Sequence, residues 1–317
     1  MRTIRFMIVC WICANAGIPV FAGDGPGAAT PAIRIAGYLP DYRAADFDPA
    51  AFRQLTDLIV FSAAPSPEGG LDMTRLKVVM PWDRLREFKV RERVRLILCV
   101  GGWERSAHFA AIAGSARSRD KFVQAAVRVC LDEGLDGLDL DWEHPRDASE
   151  QQGYEKLLVE LHDAFKPRGL VLSVAIADFQ RLTHDAIAAV DWVNVMAYDH
   201  DGRHATFDAA RADVKSLIVI GVPPHKINLG LPFYGRHITQ PEQVATYREI
   251  VTKYHPAPDV DEIDNLYFNG PSTIRLKTEW AIQSQLGGMM IWELGQDAAG
   301  DQSLLKVIRD TIDRTMK

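Results

Sequence analysis

Cysteine is scarce in this 317-residue chain: there are four, and Cys10 and Cys13 fall within the first 22 residues. With Cys99 and Cys130 the only ones beyond, a disulfide-stapled scaffold is excluded. Basic charge is not in excess either. Lys and Arg number 36 against 42 Asp and Glu, a formal charge of −6 without any basic run. That balance argues against nucleic acid or an anionic membrane surface as partner. After residue 22 no apolar run is long enough to read as a membrane span. Internal repeats, low-complexity tracts and linkers are missing, and no Gly-rich phosphate fingerprint opens the first helical pattern. What remains is 47% hydrophobic and 25% charged, ordinary globular material with enough apolar residues for one large core.

The N-terminus reads MRTIR followed by FMIVCWICANAGIPVFAG. A basic start, a short apolar run and small residues before Gly23 form a secretory signal pattern, with Val20-Phe21-Ala22 as cleavage site. Asn15, Gly17 and Pro19 interrupt the run, which argues against a membrane anchor. The expected organisation is a signal peptide at 1–22, a Gly/Pro/Ala-rich leader at 23–32 and one domain at 33–317. The mature protein is then exported, secreted or periplasmic, with no membrane attachment. Losing Arg2 and Arg5 and no acid moves the formal charge from −6 to −8. Export permits a disulfide, but Cys99 lies on a strand pattern and Cys130 ends the helix after it. Those positions fall at opposite poles of a βα unit, so two free thiols are expected.

Eight short apolar runs recur along the domain: 33–39, 58–64, 94–102, 134–142, 170–177, 192–199, 227–235 and 287–294. Most are continuous, as strands buried on both faces require. Helical patterns separate them. In SRDKFVQAAVRVCLDEG, Phe122, Ala126, Val129 and Cys130 share one face. Ser149 reads as the N-cap of the helix after the fourth run. Alternating strands and helices imply parallel βαβ units, and eight rounds predict a single (β/α)8 TIM barrel. Two helical patterns and a Pro-rich turn account for most of the stretch between the seventh and eighth runs.

The fourth run, GLDGLDLDWEHP, carries four acids among Leu, Gly and Trp. On a strand, Asp139, Asp141 and Glu143 share one face, and Leu138, Leu140 and Trp142 share the other. The leucines suit the helix side. The three acids therefore point into the barrel and rise toward its C-terminal mouth, where such barrels hold their chemistry. Asp136 is out of phase and reads as structural. Neighbouring carboxylates cannot all ionise at once, so their pKa values spread and one can serve as a general acid. A metal site is disfavoured, because one strand offers only one line of ligands. No metal or cofactor is expected.

DGLDLDWE resembles the DxxDxDxE signature of glycoside hydrolase family 18, the chitinase family. CVGGW (99–103), MAYD (196–199), LGLPFYGR (229–236) and GGMMIWELGQD (287–297) resemble further motifs of that family, each on its expected strand. The resemblance, to a secreted member of bacterial type, spans roughly residues 33 to 313. It implies a retaining hydrolase of β-1,4-linked N-acetylglucosamine glycans, chitin or chito-oligosaccharides, that uses the substrate's own 2-acetamido group as nucleophile. By this resemblance Glu143 is the general acid and base. Asp141 and Tyr198 position the acetamido group, Asp139 tunes Asp141 and Glu143, Trp292 is the floor under the sugar, and Asp199 contacts substrate.

Other positions follow from the strand pattern. Met196 lies two residues before Tyr198 and belongs to the pocket wall. Trp103 after Gly101-Gly102 is a candidate extension of the sugar platform. Tyr234 and Arg236 end the seventh run and are candidates to bond sugar hydroxyls. Trp82, Trp142, Trp192 and Trp280 read as packing residues, and His200 and His204 as solvated loop residues. Two residues depart from the family: Cys99 stands where Ser is usual, and His144 where Tyr is frequent. The short stretch between the seventh and eighth strands reads as lacking the α+β insertion domain of many members. A shallow, open groove and endo cutting are therefore expected. Two further readings stay open: an endo-β-N-acetylglucosaminidase acting on N-glycans or peptidoglycan-type glycans, and a non-catalytic chitinase-like lectin.

Overall fold

The computed structural model describes residues 33–316, so the expected signal peptide and leader lie outside the described residues. Eight parallel strands form the centre: β1 (Arg34–Pro40), β2 (Asp57–Pro65), β3 (Arg95–Gly101), β4 (Gly137–Asp141), β5 (Val171–Ile176), β6 (Trp192–Val195), β7 (Ile227–Pro232) and β8 (Gly288–Trp292). Each pairs with its chain neighbour, and β1 pairs with both β2 and β8, which closes the barrel. All eight lie within the apolar runs predicted for them, give or take a residue or two at the ends.

Side-chain alternation sorts the core into two layers. Leu138, Leu140 and Trp142 pack outward with the helices, in the large cluster that also holds Phe109, Tyr154 and Leu157. Trp142 stacks on Phe109 with ring centroids 5.4 Å apart. The inner layer contains Tyr38, Phe61, Ile97, Cys99, Trp192 and Met290. At the N-terminal pole, the Trp192 ring lies 4.0 Å from the Arg34 guanidinium and 5.0 Å from that of Arg95. Asp57 accepts from Arg95 at 2.5 Å and 3.1 Å and lies 3.7 Å from Arg34. Asp136 braces the base of β4: it accepts from the Leu96 amide at 2.8 Å and faces Lys89 at 2.9 Å. Cys99 and Cys130 are buried and free.

Two details differ from the sequence reading. The helix Ala148–Phe165 is capped by Asp147, whose carboxylate accepts from the amides of Ser149 and Glu150 at 2.9 Å. Ser149 was the expected cap. Both residues can fill the role, and only the backbone path shows which one leaves the helical region. The stretch after β7 also contains more than helices and a turn. Segments Tyr234–His237, Val244–Thr246, Glu262–Ile263 and Leu266–Tyr267 form a small antiparallel sheet, accompanied by the helix Tyr247–Tyr254. Strands of two to four residues are too short to show an alternation.

The capping geometry gives a direct test. Asp147→Ala should lower stability by about 1 kcal/mol, while Ser149→Ala should change it by less than about 0.5 kcal/mol. Urea midpoints at unchanged m-value measure both.

Candidate active site

The three aligned acids enter three different environments as β4 rises. Asp139, fully buried, receives hydrogen bonds from Tyr38 at 2.7 Å, Ser173 at 2.6 Å and Asn194 at 2.9 Å. These donors come from β1, β5 and β6, so Asp139 is gripped from across the barrel. Asp141 is also buried, but its Oδ1 accepts no hydrogen bond from the protein. Glu143 lies just past the strand end, and its amide donates to Ser106 Oγ at 3.1 Å.

Two glycines let the β3 end approach this line. Gly101 and Gly102 have φ of +103° and +93°. A Cβ on Gly101 would lie 2.2 Å from the Asp141 carbonyl oxygen, and one on Gly102 would lie 2.3 Å from the Phe61 ring. Only glycine fits both the conformation and the space. The Gly102 amide in turn donates to the Asp141 carbonyl at 2.6 Å.

Electrostatics separate the acids further. Burial raises Asp139 above its ordinary value, and its hydrogen-bond donors offset only part of that rise. Burial, then Glu143 and Asp139, push Asp141 well above the usual carboxylate range. Burial, followed by the charge of Asp199, raises Glu143 to about 7. A carboxyl at that value holds a proton in slightly acidic solution and can give it up in a reaction.

Asp141 and Glu143 open into a cavity of about 490 Å³ at the C-terminal mouth. Tyr198, Met196, Met290, Phe61 and Trp292 form the inner wall. Trp292 is set edge-on against Phe61, with centroids 4.7 Å apart, and tilts against Tyr38 at 5.5 Å. Tyr198 Oη lies 3.8 Å from Met290 Sδ. Trp103 and Phe179 rise at the rim, 73% and 59% exposed. His144 lies between them in chain order, edge-on to Phe179, with Nε2 3.8 Å from Glu143. The peptide bonds Phe61–Ser62, Glu143–His144 and Trp292–Glu293 are cis.

The opposite side is organised around Asp199, which has φ of +68° and lines the cavity. Tyr234 donates to it at 2.5 Å, and Arg236 pairs with it at 2.9 Å. Burial alone would raise Asp199, but the His204 imidazole, the Tyr234 hydroxyl and the Arg236 charge outweigh it and leave Asp199 below its ordinary value. Tyr234 does not reach the cavity wall: β7 ends at Pro232, the chain turns, and the Tyr234 ring is 4% exposed beneath Asp199. Arg236 does line the cavity. His204 is fully buried, tilted against Tyr234 at 5.0 Å, rather than solvated, because the small sheet covers its loop. His200 is half-buried and bonded to Asp213 at 2.9 Å.

Cavity residues not singled out from the sequence include Tyr38, Phe61, Met290, Asp178 and Phe179, with Ala175 and Ala177 beside them. Tyr38 and Phe61 were accessible by alternation along β1 and β2. Asp178 and Phe179 lie in a loop, where no periodicity points inward or outward.

The sequence profile of Glycosyl hydrolases family 18 matches residues 34–297. The chain belongs to this family. A family 18 chitinase structure from the chitin utilization locus of Flavobacterium johnsoniae is 30% identical, with a TM-score of 0.80 covering 89% of this chain and 94% of that one. A mutant family 18 chitinase from Cycas revoluta, in complex with (GlcNAc)4, is 25% identical with a TM-score of 0.75, covering 88% and 99%. Chitinase 1 of Aphanocladium album is 28% identical over 275 residues, 68% of this chain and 65% of that protein. The family 18 chain thus spans just under two thirds of that relative's length.

Glu143 should titrate with a midpoint near 7 in a carboxyl carbon NMR titration. Asp199→Asn removes a negative charge that favours the protonated form, so the Glu143 midpoint should fall. A midpoint that stays in place would remove Asp199 from the set of groups acting on Glu143.

Proposed function

We propose that this family 18 member is a retaining hydrolase of β-1,4-linked N-acetylglucosamine glycans, chitin or chito-oligosaccharides, in which the substrate supplies the nucleophile. The observation that carries the reading is the state of the acids. Asp141 is buried and pushed toward its neutral form, and a neutral carboxylic acid is a poor nucleophile. Asp199 is held by Arg236 and Tyr234. That leaves Glu143, at about 7, suited to proton transfer. By the mechanism of this family the attacking group comes from the sugar, as the 2-acetamido oxygen.

The roles follow. Glu143 gives its proton to the glycosidic oxygen while the acetamido carbonyl oxygen attacks the anomeric carbon and the aglycone departs. The product is an oxazolinium ion. Asp141 Oδ1, without a protein donor, accepts the acetamido N–H, and Tyr198 donates to the acetamido oxygen. Asp139 supports Asp141 from below. Trp292 carries the apolar face of the sugar, and Met196 closes the wall behind it. Glu143, now ionised, takes a proton from water as that water attacks the anomeric carbon and the acetamido group re-forms. Two inversions give net retention. Trp103 and Phe179 at the rim extend the platform for neighbouring sugars. The same reading includes export, with residues 1–22 removed.

Protein comprising residues 23–317 should hydrolyse a fluorogenic chitobioside and cut chitohexaose to products that first appear as β-anomers. Glu143→Gln should lower kcat by roughly 10²–10⁴ or more with the fold intact. A folded parent that binds the oligomer without cutting it is a lectin. One that cuts only N-glycan or peptidoglycan substrates is an endo-β-N-acetylglucosaminidase. Either result overturns the chitinase reading. Expressed at full length in a bacterial host, the exported protein should begin at Gly23; an N-terminus at Met1 in the cell fraction would overturn the export reading.

A further inference from the structure

Asp139 is the upper end of a buried polar chain that runs down to the far pole of the barrel. Its Oδ1 accepts from Asn194 Nδ2 at 2.9 Å. Asn194 Oδ1 accepts from Asn228 Nδ2 at 2.8 Å, and Asn228 Oδ1 accepts from the Arg34 guanidinium at 3.1 Å. Both asparagines are fully buried, so no water competes for these groups. Arg34 begins β1, anchored on Trp192 at 4.0 Å and 3.7 Å from Asp57.

The direction of this chain is set at its lower end. A guanidinium only donates hydrogen bonds. Asn228 must therefore turn its oxygen to Arg34 and its NH₂ group to Asn194. Asn194 must then turn its oxygen to Asn228 and its NH₂ group upward. One upward N–H reaches Asp139, and Asn194 Nδ2 also reaches the Tyr38 oxygen at 3.3 Å. With its oxygen accepting, Tyr38 is left to donate its proton to Asp139 Oδ2 at 2.7 Å. Two of the three donors on Asp139 are thus oriented from the barrel floor.

We propose that Arg34 and Asn228 are positioning residues for the reaction: through Asn194 they keep donors aimed at the Asp139 carboxyl and so favour Asp141 over Asp139 as the carboxyl that carries a proton. The catalytic consequence rests on the hydrolase reading above. The titratable groups bearing on Asp139 are Tyr38 from β1, Cys99 from β3, Asp141 on β4 and Tyr154 from the helix behind it. β5 and β6 contribute Ser173 and Asn194, neither of which titrates. Asp57, Arg95 and Asp191 surround Arg34. All of these remain in the variants below.

The experiment is a carboxyl carbon NMR titration of Asp139 without substrate, assigned with Asp139→Asn and paired with the pH profile of kcat/KM. Arg34→Met frees both asparagines to turn. Its side chain is 18% exposed at the pole, so the substitution leaves the core closed. Losing donors to the carboxylate raises its pKa, so the Asp139 midpoint should rise by roughly one unit and the acid limb should move up with it. Arg34→Lys keeps a group that only donates and should restore the parent profile. Asn228→Asp places two acceptors beneath Asn194, forces its oxygen upward and should give the largest upward shift. A merely structural role would lower the melting temperature and leave the titrations in place. Asp139 titrations of Arg34→Met and Asn228→Asp that superimpose on the parent's overturn the proposal. A parent that hydrolyses no glycan overturns the hydrolase reading instead, because the carboxyl titration is read without turnover.

Discussion

Three carboxyl groups in one line, two on a buried strand and one just past its end, are the constraint on which the rest of the site depends. Two of them, Asp139 and Asp141, are at most 4% exposed, so each must be hydrogen-bonded, neutral or both. The barrel resolves the conflict by position. Asp139 has donors from three other strands and is held as an acceptor. Asp141, buried and with a neighbouring carboxyl on each side, is pushed well above the usual carboxylate range. Glu143, at the open end, is left near neutrality. A gradient of solvation and bonding along one line thus gives two residue types three different proton affinities.

The same gradient shapes the cleft around it. The glycine pair at the end of β3 brings backbone against β4, which tightens the floor beneath Glu143. Tyr38 serves two layers, as a donor to Asp139 and as a support for the Trp292 ring. On the far side, the small antiparallel sheet carries Tyr234 and Arg236 under Asp199, so that a second carboxylate stays charged near Glu143 and raises it. Packing and proton affinity are therefore set by the same side chains.

The barrel strands were legible because strands buried on both faces must be apolar throughout, and eight such runs separated by helical patterns have few arrangements. The acid line was legible because alternation is rigid: Asp139, Asp141 and Glu143 cannot share a face with Leu138 and Leu140 in any other phase. Asp147 as helix cap, the short strands after β7, the burial of His204 and the inward position of Asp178 were not legible. Each depends on the path of a loop, and loops carry no period.

The amino-acid sequence alone determined the eight-strand alternation, the inward line of acids and the family they belong to, because these rest on local spacing and residue type. Tertiary structure alone decided which acid is hydrogen-bonded, which is left without a partner and which residues face the cavity. Tyr38 and Asp139 are separated by 101 positions, and Asn194 and Asp139 by 55. Only closing the barrel brings them within hydrogen-bond reach, and these contacts help to distinguish Asp139 from Asp141.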